Sequence, residues 1–486
     1  MKNLAMNPYL PLWEYIPDGE PRVFGGRLYI YGSHDLAGGE KGFCPGDYQV
    51  WSAPLEDLGD WTCHGISLAR SAVPEMTEDD AMAAPDVVRG PDGRYYLYFN
   101  TNRQKVCRVG VSDSPEGPFE LIGVVRLPNG TPYEDYKMFD PGVLVDDDGR
   151  VYLFVGFCMP GPVPERFKGK PCPFAPTSLG FELESDMMTI RRGPVPILPG
   201  GNVTEGTGFE GHGFYEASSP RKIHGRYVMV YSSEQTHELA YALADAPLRP
   251  YRFMGMLVSN ADLGLKGNTH PCMPFGNNHG GLAELNGEWY IFYHRHTSGQ
   301  EASRQGCAEK LPRRADGWFG QAEITSCGLN GGPLPADRTY EASYCCCLTS
   351  PAILPERYTT RSCRRGEEPH LYQESAGDGT ALYIHYIANI GSGTVVGYKY
   401  FSFDAPVQLK LTLRGVGRVG ITVHTDRPNG PCIGQAEEKL LGCWQDMTVH
   451  LVPLHGTHAL YLRFEIADGL QFASFAFVPG EERSKI

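Results

Sequence analysis

A hairpin pattern of apolar and polar positions recurs five times in the first two thirds of the sequence. One copy begins with the apolar run 142–145, turns at 146–149 (DDDG) and continues with 150–154 (RVYLF). Apolar residues that alternate with a period of two predict strands, and an Asp-Gly turn tolerates the positive φ of a tight hairpin. The second strand of each copy follows a glycine, and these glycines are Gly26, Gly93, Gly149, Gly225 and Gly287.

The distance between the copies predicts the architecture. Successive turn glycines are 56 to 76 residues apart, which is enough chain for one four-stranded sheet and its loops. Five such sheets in a cyclic array make a five-bladed β-propeller. The sequence therefore predicts an all-β protein in which residues 1–332 form this propeller.

The last third of the sequence has a different pattern. Apolar residues alternate in runs such as 407–413 and 459–464, with short polar turns and no copy of the hairpin pattern. Such runs predict a β-sandwich of the jelly-roll type over residues 337–486. The stretch 330–335 (NGGPLP) is rich in glycine and proline and is predicted to link the two domains.

One polar residue stands near the head of the first strand of each repeat, seven to nine residues before the turn glycine. Because the first strand of each propeller blade lines the central channel, these residues should converge near its axis. A strand with apolar residues on both sides does not normally need an acid for its stability. Five polar residues at matched positions therefore suggest a functional site. The alternative for any one member, and most of all for Asp86, is a hydrogen bond that ties neighbouring blades together. The five residues are Asp18, Asp86, Asp140, Glu216 and His279.

Composition limits the partners. Hydrophobic residues make up 41% of the 486 residues and charged residues 21%, as in an ordinary globular protein. The net charge of −14 argues against a nucleic acid or an anionic membrane as a partner, whereas a neutral substrate is a natural expectation. The sequence does not indicate an oligomeric state.

Cysteine usage and the first residues bear on the cellular compartment. No apolar run is long enough to span a membrane, and the start of the sequence lacks the features of a secretory signal. The 14 cysteines are scattered and form no Cys-x-x-Cys pair. They favour free thiols over a disulfide framework or a zinc site, and we expect a cytoplasmic protein.

Three of the converging acids match the needs of glycosidic bond hydrolysis. That reaction uses one carboxylic acid to protonate the leaving oxygen and one carboxylate to activate water or attack carbon. A third acid nearby raises the pKa of the proton donor by like-charge repulsion. Asp18, Asp140 and Glu216 fit these roles. Glu205 and Glu210 compete with Glu216 for the role of the acid, but Glu216 alone has the matched spacing.

Four motifs surround these residues: 17–19 (PDG), 139–142 (FDPG), 215–219 (YEASS) and 277–280 (NNHG). They resemble glycoside hydrolase family 43, five-bladed propeller enzymes that include β-xylosidases, α-L-arabinofuranosidases and arabinanases. The resemblance implies that Asp18 is the general base, that Asp140 orients substrate and modulates a pKa, and that Glu216 is the general acid of an inverting mechanism. The runs 386–390 and 397–401 in the sandwich resemble family 6-type carbohydrate-binding modules.

The resemblance also bears on ligands around the acids. It implies that no cofactor is needed for the chemistry, and that His279 lies deeper in the channel, where some members hold a structural calcium ion through water. We expect Asp86, His279 and Arg295 to bind substrate, with a surface salt bridge as the alternative role of Arg295. Ala83 stands where members often have an aromatic residue, which leaves the sugar-stacking surface open. The proline-rich insertion 157–176 is expected either to shape the pocket or to be a solvated loop.

Together these features predict an exo-acting glycosidase. Its substrate would be an oligosaccharide from plant cell walls, from which it removes terminal α-L-arabinofuranosyl or β-D-xylosyl residues. One alternative is a retaining hydrolase of the β-fructosidase type, which Phe139 disfavours because that group has arginine before Asp-Pro. The other alternative is a propeller lectin that binds glycans without cutting them. Three retained acids argue against the lectin, since neutral residues bind sugar at a lower desolvation cost.

Overall fold

The computed structural model describes residues 3–159, 172–353, 355–358, 366–375, 383–404 and 407–479. Most of the proline-rich insertion 157–176 lies outside these ranges. Strands dominate the described part, and its helical segments are single 3-10 turns at Arg70–Ala72, Gly201–Val203, Leu265–Gly267, Gly328–Asn330 and Ala342–Tyr344. None of the described helices is long and apolar enough to cross a membrane.

Five antiparallel sheets in the described part of residues 20–310 form the blades of the propeller, each with its strands in chain order. The first two blades are β1 (Glu20–Phe24), β2 (Arg27–Tyr31), β3 (Tyr48–Pro54) and β4 (Thr62–Leu68), then β5 (Asp86–Arg89), β6 (Tyr95–Phe99), β7 (Arg108–Ser112) and β8 (Glu120–Val124). The next two are β9 (Gly142–Val145), β10 (Val151–Val155), β11 (Thr177–Leu183) and β12 (Ile190–Pro199), then β13 (Phe214–Ile223), β14 (Arg226–Ser233), β15 (Glu238–Ala244) and β16 (Arg252–Ser259). The fifth blade consists of β17 (Leu282–Leu285), β18 (Glu288–His296) and β19 (Arg304–Lys310).

The five turn glycines lie where the sequence pattern predicts them, between the first and second strands of the blades. All five have φ between 73° and 87°, a left-handed conformation that glycine adopts without steric cost. The inner strands contact one another around the ring, and β17 contacts β1 to close it. The predicted five-bladed propeller is therefore confirmed.

The fifth blade differs from the prediction. The sequence predicted a four-stranded sheet for each repeat, yet the sheet described for the fifth repeat has three strands and ends with β19. The N-terminal segment covers the edge of β19 instead: the Asn7 side chain donates to the Ala308 carbonyl (2.9 Å) and accepts from the Ala308 amide (2.9 Å). The Tyr9 amide donates to the Gly306 carbonyl at 3.1 Å. The two ends of the propeller chain are thus joined in one blade.

The last third of the chain forms two facing sheets, as a β-sandwich requires. One contains β20 (Leu334–Pro335), β22 (Cys347–Thr349), β25 (Thr394–Phe403), β27 (Val416–Thr425), β28 (Cys432–Leu441) and β30 (Gly456–Ile466). The other contains β21 (Thr339–Glu341), β23 (His370–Ser375), β24 (Tyr383–Ile390), β26 (Val407–Arg414), β29 (Gln445–His450) and β31 (Leu470–Pro479). Alternate residues of β26, such as Leu409, Leu411 and Leu413, are fully buried between the sheets, so the sandwich prediction is confirmed.

The sandwich packs directly against the propeller. One hydrophobic cluster continues from Ile291 of blade five through Tyr340 to Phe475 of the sandwich. The buried Lys399 ammonium lies 2.9 Å from carboxylate oxygens of both Asp262 and Glu323. The predicted linker is also shorter than expected, because Leu334–Pro335 already pairs with β25. A shared core and an ion pair across the junction hold the two domains together as one body.

Candidate active site

A cavity of about 430 Å³ opens at one end of the propeller channel. Asp18, Asp140 and Glu216 line it together, although they come from blades one, three and four. His279 from blade five lines the same cavity. Four of the five residues selected by matched spacing therefore share one site. The spacing brings them together because each lies at the start of an inner strand, where the strands converge on the channel mouth.

Asp18 lies in the turn before β1 with a φ of 57°. One of its carboxylate oxygens accepts a hydrogen bond from Arg304 Nη1 (2.8 Å), and the other accepts from the Ser33 hydroxyl. Burial alone would raise the pKa of Asp18, but the Arg304 guanidinium holds it well below its usual range. Asp18 is therefore ionised near neutral pH and can accept a proton.

His294 holds the backbone of Asp18 in this turn. The His294 ring accepts from the Asp18 amide at Nδ1 (3.3 Å), and its Nε2 lies 2.8 Å from the Asn277 carbonyl, to which it donates. Burial lowers the pKa of His294, in keeping with this neutral tautomer. The ring fixes the direction of the Asp18 side chain while Arg304 sets its charge.

Glu216 has the opposite electrostatic character. It lies in β13 at an irregularity of the β13–β14 register, just before Ala217, whose φ is 69°. Burial and the nearby charge of Asp140 raise the pKa of Glu216 to about 8. Its carboxyl group is thus protonated at neutral pH and can donate a proton, whereas Asp18 in the same cavity cannot.

Asp140 pairs with His279. The Asp140 Oδ2 atom lies 3.4 Å from His279 Nδ1, and the Asp140 amide donates to the Asn100 side chain at 3.3 Å. Burial opposes a charge on His279, yet the hydrogen bond to Asp140 raises the pKa of His279 to about 9. Burial also raises the pKa of Asp140. The cavity therefore holds a third carboxyl group whose charge acts on Glu216.

Aromatic side chains form part of the cavity wall: Phe43, Phe139, Phe157 and Tyr215. The Phe157 ring contacts the rings of Phe139 and Tyr215 at centroid distances of 5.4 and 5.0 Å. Phe43 lies against the Arg304 guanidinium, 4.8 Å from its ring centroid. Ala83 lines the cavity as well, so the aromatic surface comes from these four residues rather than from that position.

Asp86 does not line the cavity, contrary to its predicted role in substrate binding. Its two oxygens accept from Arg22 Nε (3.0 Å) and Nη2 (2.5 Å), and one also accepts from the Val143 amide (2.7 Å). These partners belong to blades one and three. Asp86 begins β5 and ties three blades together, which is the alternative role that the sequence left open.

Arg295 was also predicted to bind substrate, and the structure places it elsewhere. Its side chain is buried and donates to Cys307 Sγ and to the Cys345 carbonyl of the sandwich domain, both at 2.9 Å. Successive side chains of a strand point to opposite faces. Since His294 and His296 both face Asn277 near the cavity, Arg295 between them must face the other way, and a surface salt bridge is excluded too.

Sequence reasoning missed several residues of the site. Arg304 is the most important; it lies opposite His296 in the β18–β19 ladder, and no repeat motif marks it in the sequence. Ser33, from the loop after β2, was missed because it follows the second strand of its repeat, whereas the matched spacing marks only the first strand. Other missed residues on the cavity wall include Phe43, Asn277, Glu301 and Arg357.

Further along the inner strands the channel holds a second charged cluster. Glu20 lies 2.5 Å from Arg221 Nη2 and 3.0 Å from the Ser219 hydroxyl, and Arg22 pairs with Asp86. Within the described ranges, no three His, Cys, Asp or Glu side chains are arranged to hold a metal ion. Arg221 and Arg22 already pair with the two acids of this region, Glu20 and Asp86. These residues therefore do not fit a calcium ion, which takes 6–8 oxygen ligands.

Comparison with known proteins gives consistent results. Residues 17–319 match the family model described as "Glycosyl hydrolases family 43". The sequence is 40% identical to a xylosidase/arabinosidase of Thermoclostridium stercorarium over 98% of this chain and 99% of the relative. It is 30% identical to a xylosidase/arabinosidase of Bacteroides ovatus over 59% of this chain and 87% of the relative.

Solved structures show the same similarity. A family 43 β-xylosidase/α-arabinofuranosidase from a compost microbial metagenome, in complex with xylotriose, superposes with a TM-score of 0.51 and 27% identity. That match covers 66% of this chain and 98% of the other. An arabinoxylan arabinofuranohydrolase from Bacillus subtilis covers 98% of this chain and 99% of its own, with a TM-score of 0.50 and 20% identity, and shares the fold of both domains.

Proposed function

Because the chain belongs to the glycosyl hydrolases of family 43, we propose that it is an inverting exo-glycosidase that removes terminal α-L-arabinofuranosyl or β-D-xylosyl residues from plant cell-wall oligosaccharides. The family that the four motifs predicted is thereby confirmed. One observation carries the mechanism: a single cavity contains a carboxylate held ionised, Asp18, and a carboxyl group held protonated, Glu216.

The two groups divide the reaction between them. The terminal sugar enters the cavity, and the Asp18 carboxylate takes a proton from a water molecule as that water attacks the anomeric carbon. The glycosidic bond breaks, and Glu216 gives its proton to the departing oxygen. The attacking oxygen enters on the face opposite the leaving group, so the product has the inverted configuration. Asp18 ends protonated and Glu216 ionised, and exchange with water restores both.

Asp140 supports the acid from a distance. Its charge raises the pKa of Glu216, and its contact with His279 keeps the carboxylate in place. His279 lines the cavity and, with Asp140, supplies polar atoms for sugar hydroxyl groups. The carboxyl groups carry the proton transfers by themselves, so hydrolysis needs no cofactor.

The cavity suits a short substrate. Its volume of about 430 Å³ lies toward the low end of the roughly 300–1,000 Å³ of ligand pockets. A cavity of this size accommodates the end of an oligosaccharide. Xylosidase and arabinosidase activities in the names of the two curated relatives support terminal pentosyl groups as the substrate.

The resemblance also predicted a structural calcium ion near His279, and a solved relative is described as a calcium-free form. The channel residues beyond His279 do not fit such an ion directly, because Arg22 and Arg221 already neutralise Asp86 and Glu20. We therefore propose no step that depends on a metal.

We retain the cytoplasm as the proposed location. Every cysteine in the described part of the chain is a free thiol, which suits a reducing compartment. Fractionation of source cells would test this location, and recovery of the protein outside the cytoplasm would contradict it.

The proposed activity can be tested with nitrophenyl α-L-arabinofuranoside, β-D-xyloside and β-D-galactoside. We expect hydrolysis of one or both pentosides and much slower hydrolysis of the hexoside, with Asp18→Asn as the inactive control. Proton NMR of the fresh product should show the inverted anomer first. A retained anomer, or preference for a fructoside, would support the β-fructosidase alternative, and sugar binding without turnover would support the lectin.

A further inference from the structure

The C-terminal domain contributes a side chain to the catalytic cavity. Arg357 lies beyond residues 17–319, which match the family model, and yet it lines the cavity together with Glu216 and Tyr215. The short segment that carries it, residues 355–358, follows the sandwich strand β22. The propeller alone therefore leaves one part of the cavity wall incomplete.

Contacts with blade five hold this segment in place. The Tyr358 amide donates to the Phe275 carbonyl at 2.7 Å, and the Tyr358 ring meets the His296 ring edge to face at a centroid distance of 6.3 Å. Further along the chain, the Leu371 amide donates to the Thr297 carbonyl at 2.8 Å. These contacts attach the segment to the end of β18, so Arg357 has a defined position at the cavity.

The Arg357 guanidinium is only partly used by the protein. Its Nη2 lies 3.4 Å from a carboxylate oxygen of Glu301, a long contact for an ion pair. Its Nε is buried without a hydrogen-bond partner. About a third of the side chain, 34%, stays exposed. The exposed part of the guanidinium, together with the long contact to Glu301, leaves donors that a ligand in the cavity can reach.

The side of the cavity on which Arg357 lies identifies that ligand. Arg357 is next to Tyr215, the residue before the proposed proton donor, and its charge acts on Glu216. The proton donor must face the departing oxygen, so groups beside it face the sugar that leaves. Arginine presents several donors in a fixed plane, which suits the adjacent hydroxyl groups of a sugar.

Resting on the proposed function, we propose that Arg357 binds the hydroxyl groups of the leaving sugar and gives the enzyme its preference for oligosaccharides. The C-terminal domain thereby acts in substrate recognition within the active site itself. Small aryl glycosides lack those hydroxyl groups and do not benefit from the contact.

The test compares two substrates of the full-length protein, xylotriose or the matching arabino-oligosaccharide and the nitrophenyl pentoside. Arg357→Ala should lower kcat/KM for the oligosaccharide by about 10- to 100-fold, mainly through KM, since a charged hydrogen bond contributes on that scale. The aryl glycoside should change by less than about threefold. Arg357→Lys should keep part of the oligosaccharide preference because it retains the charge.

Two control variants separate recognition from structure. Arg418→Ala removes another arginine that pairs with a glutamate on the sandwich surface, and it should leave both substrates unaffected. Glu301→Gln weakens the ion pair but leaves the arginine, so it should affect the oligosaccharide less than Arg357→Ala. An equal loss on both substrates, or no loss on either, would overturn the inference while the proposed function stands. A wild-type protein that cleaves neither substrate would overturn both.

Discussion

Two clusters of buried carboxyl groups share the propeller channel, and they differ in how their charges are balanced. In the deeper cluster Glu20 and Asp86 face Arg221 and Arg22, one guanidinium for each carboxylate. At the mouth, Asp18, Asp140 and Glu216 lie near Arg304 and His279, while Arg304 also pairs with Asp35 and Arg357 with Glu301. The deeper cluster is neutral as a set, whereas the mouth has an excess of acid.

This difference in charge balance distinguishes carboxyl groups that stabilise the fold from those proposed to take part in the reaction. Burial opposes ionisation of Glu20, but Arg221 lowers the pKa of that carboxyl group, which keeps the ion pair fixed. For Glu216, burial and the charge of Asp140 outweigh the charges of His279 and Arg357, so this carboxyl group retains its proton to a pKa of about 8. An acid in such a channel becomes reactive where its neighbours leave the charge uncompensated. The same residue type therefore joins blades in one place and, in the other, keeps its proton at neutral pH.

The largest effects should follow from breaking the mouth cluster. Protonation of the leaving oxygen matters greatly for a sugar and little for a nitrophenolate, while water activation matters for both. Glu216→Ala should therefore lose about 10²- to 10⁴-fold in kcat on oligosaccharides and far less on the aryl glycoside. Asp18→Ala should lose activity on both substrates alike. Steady-state rates on the two substrates measure this difference.

Glu205→Ala and Glu210→Ala are matched controls from the loop before β13 and should behave as the wild type. Should either variant lose activity on oligosaccharides while Glu216→Ala does not, the proton donor has been misidentified.

Breaking the deeper cluster should change stability instead of chemistry. Asp86→Ala leaves the Arg22 guanidinium buried without its partner, which typically costs about 3–5 kcal/mol in the free energy of unfolding. Urea unfolding measures this loss. The remaining folded enzyme should keep a near-normal KM, because Asp86 does not line the cavity.

Asp148→Ala removes another Asp–Arg pair, the exposed one with Arg150, and should leave the unfolding curve unchanged. If Asp86→Ala unfolds like this control and raises KM, then Asp86 binds substrate after all.

The smallest expected effect concerns pH. Glu216 donates its proton only while protonated, so kcat/KM should be high below its pKa of about 8 and fall as the pH rises through that value. Asp140→Asn removes the negative charge that helps raise this pKa, so the fall should move to lower pH. A pH profile of kcat/KM on the oligosaccharide, for which protonation of the leaving oxygen matters, measures the shift.

Asp148→Asn removes an acid outside the cavity and should leave the pH profile in place. A profile of Asp140→Asn that keeps its position would mean that burial alone sets the pKa of Glu216.

The sequence was sufficient to predict those features of the fold and the site that depend on a local sequence pattern. The turn glycines and the alternation of apolar residues recur in every blade, so the propeller and the positions of Asp18, Asp140 and Glu216 at the inner strand starts could be inferred. Matched spacing failed at Asp86 because equal position along a strand does not specify which partner a side chain meets. The Asp86 carboxylate accepts its hydrogen bonds from Arg22, which lies four residues beyond Asp18.

The remaining parts of the site depend on contacts between distant segments. Arg304 reaches Asp18 across 286 residues, and Arg357 enters the cavity from another domain, so neither belongs to a repeat motif. Arg295 was misplaced for a simpler reason: the facing direction of β18 was unknown, and one residue along a strand reverses the face. Knowledge that His294 faces Asp18 would have been enough to correct it.

The hydrogen bonds between Asn7 and Ala308 have a consequence for synthesis of the protein on the ribosome. The two residues are 301 positions apart, and at roughly 5–20 residues per second the ribosome needs about 15 to 60 seconds to make the chain between them. Throughout that time the N-terminal segment has no blade to cover, and Asp18 lacks Arg304. Asp18 is therefore among the first residues made, yet it acquires its charge partner only when the last blade emerges.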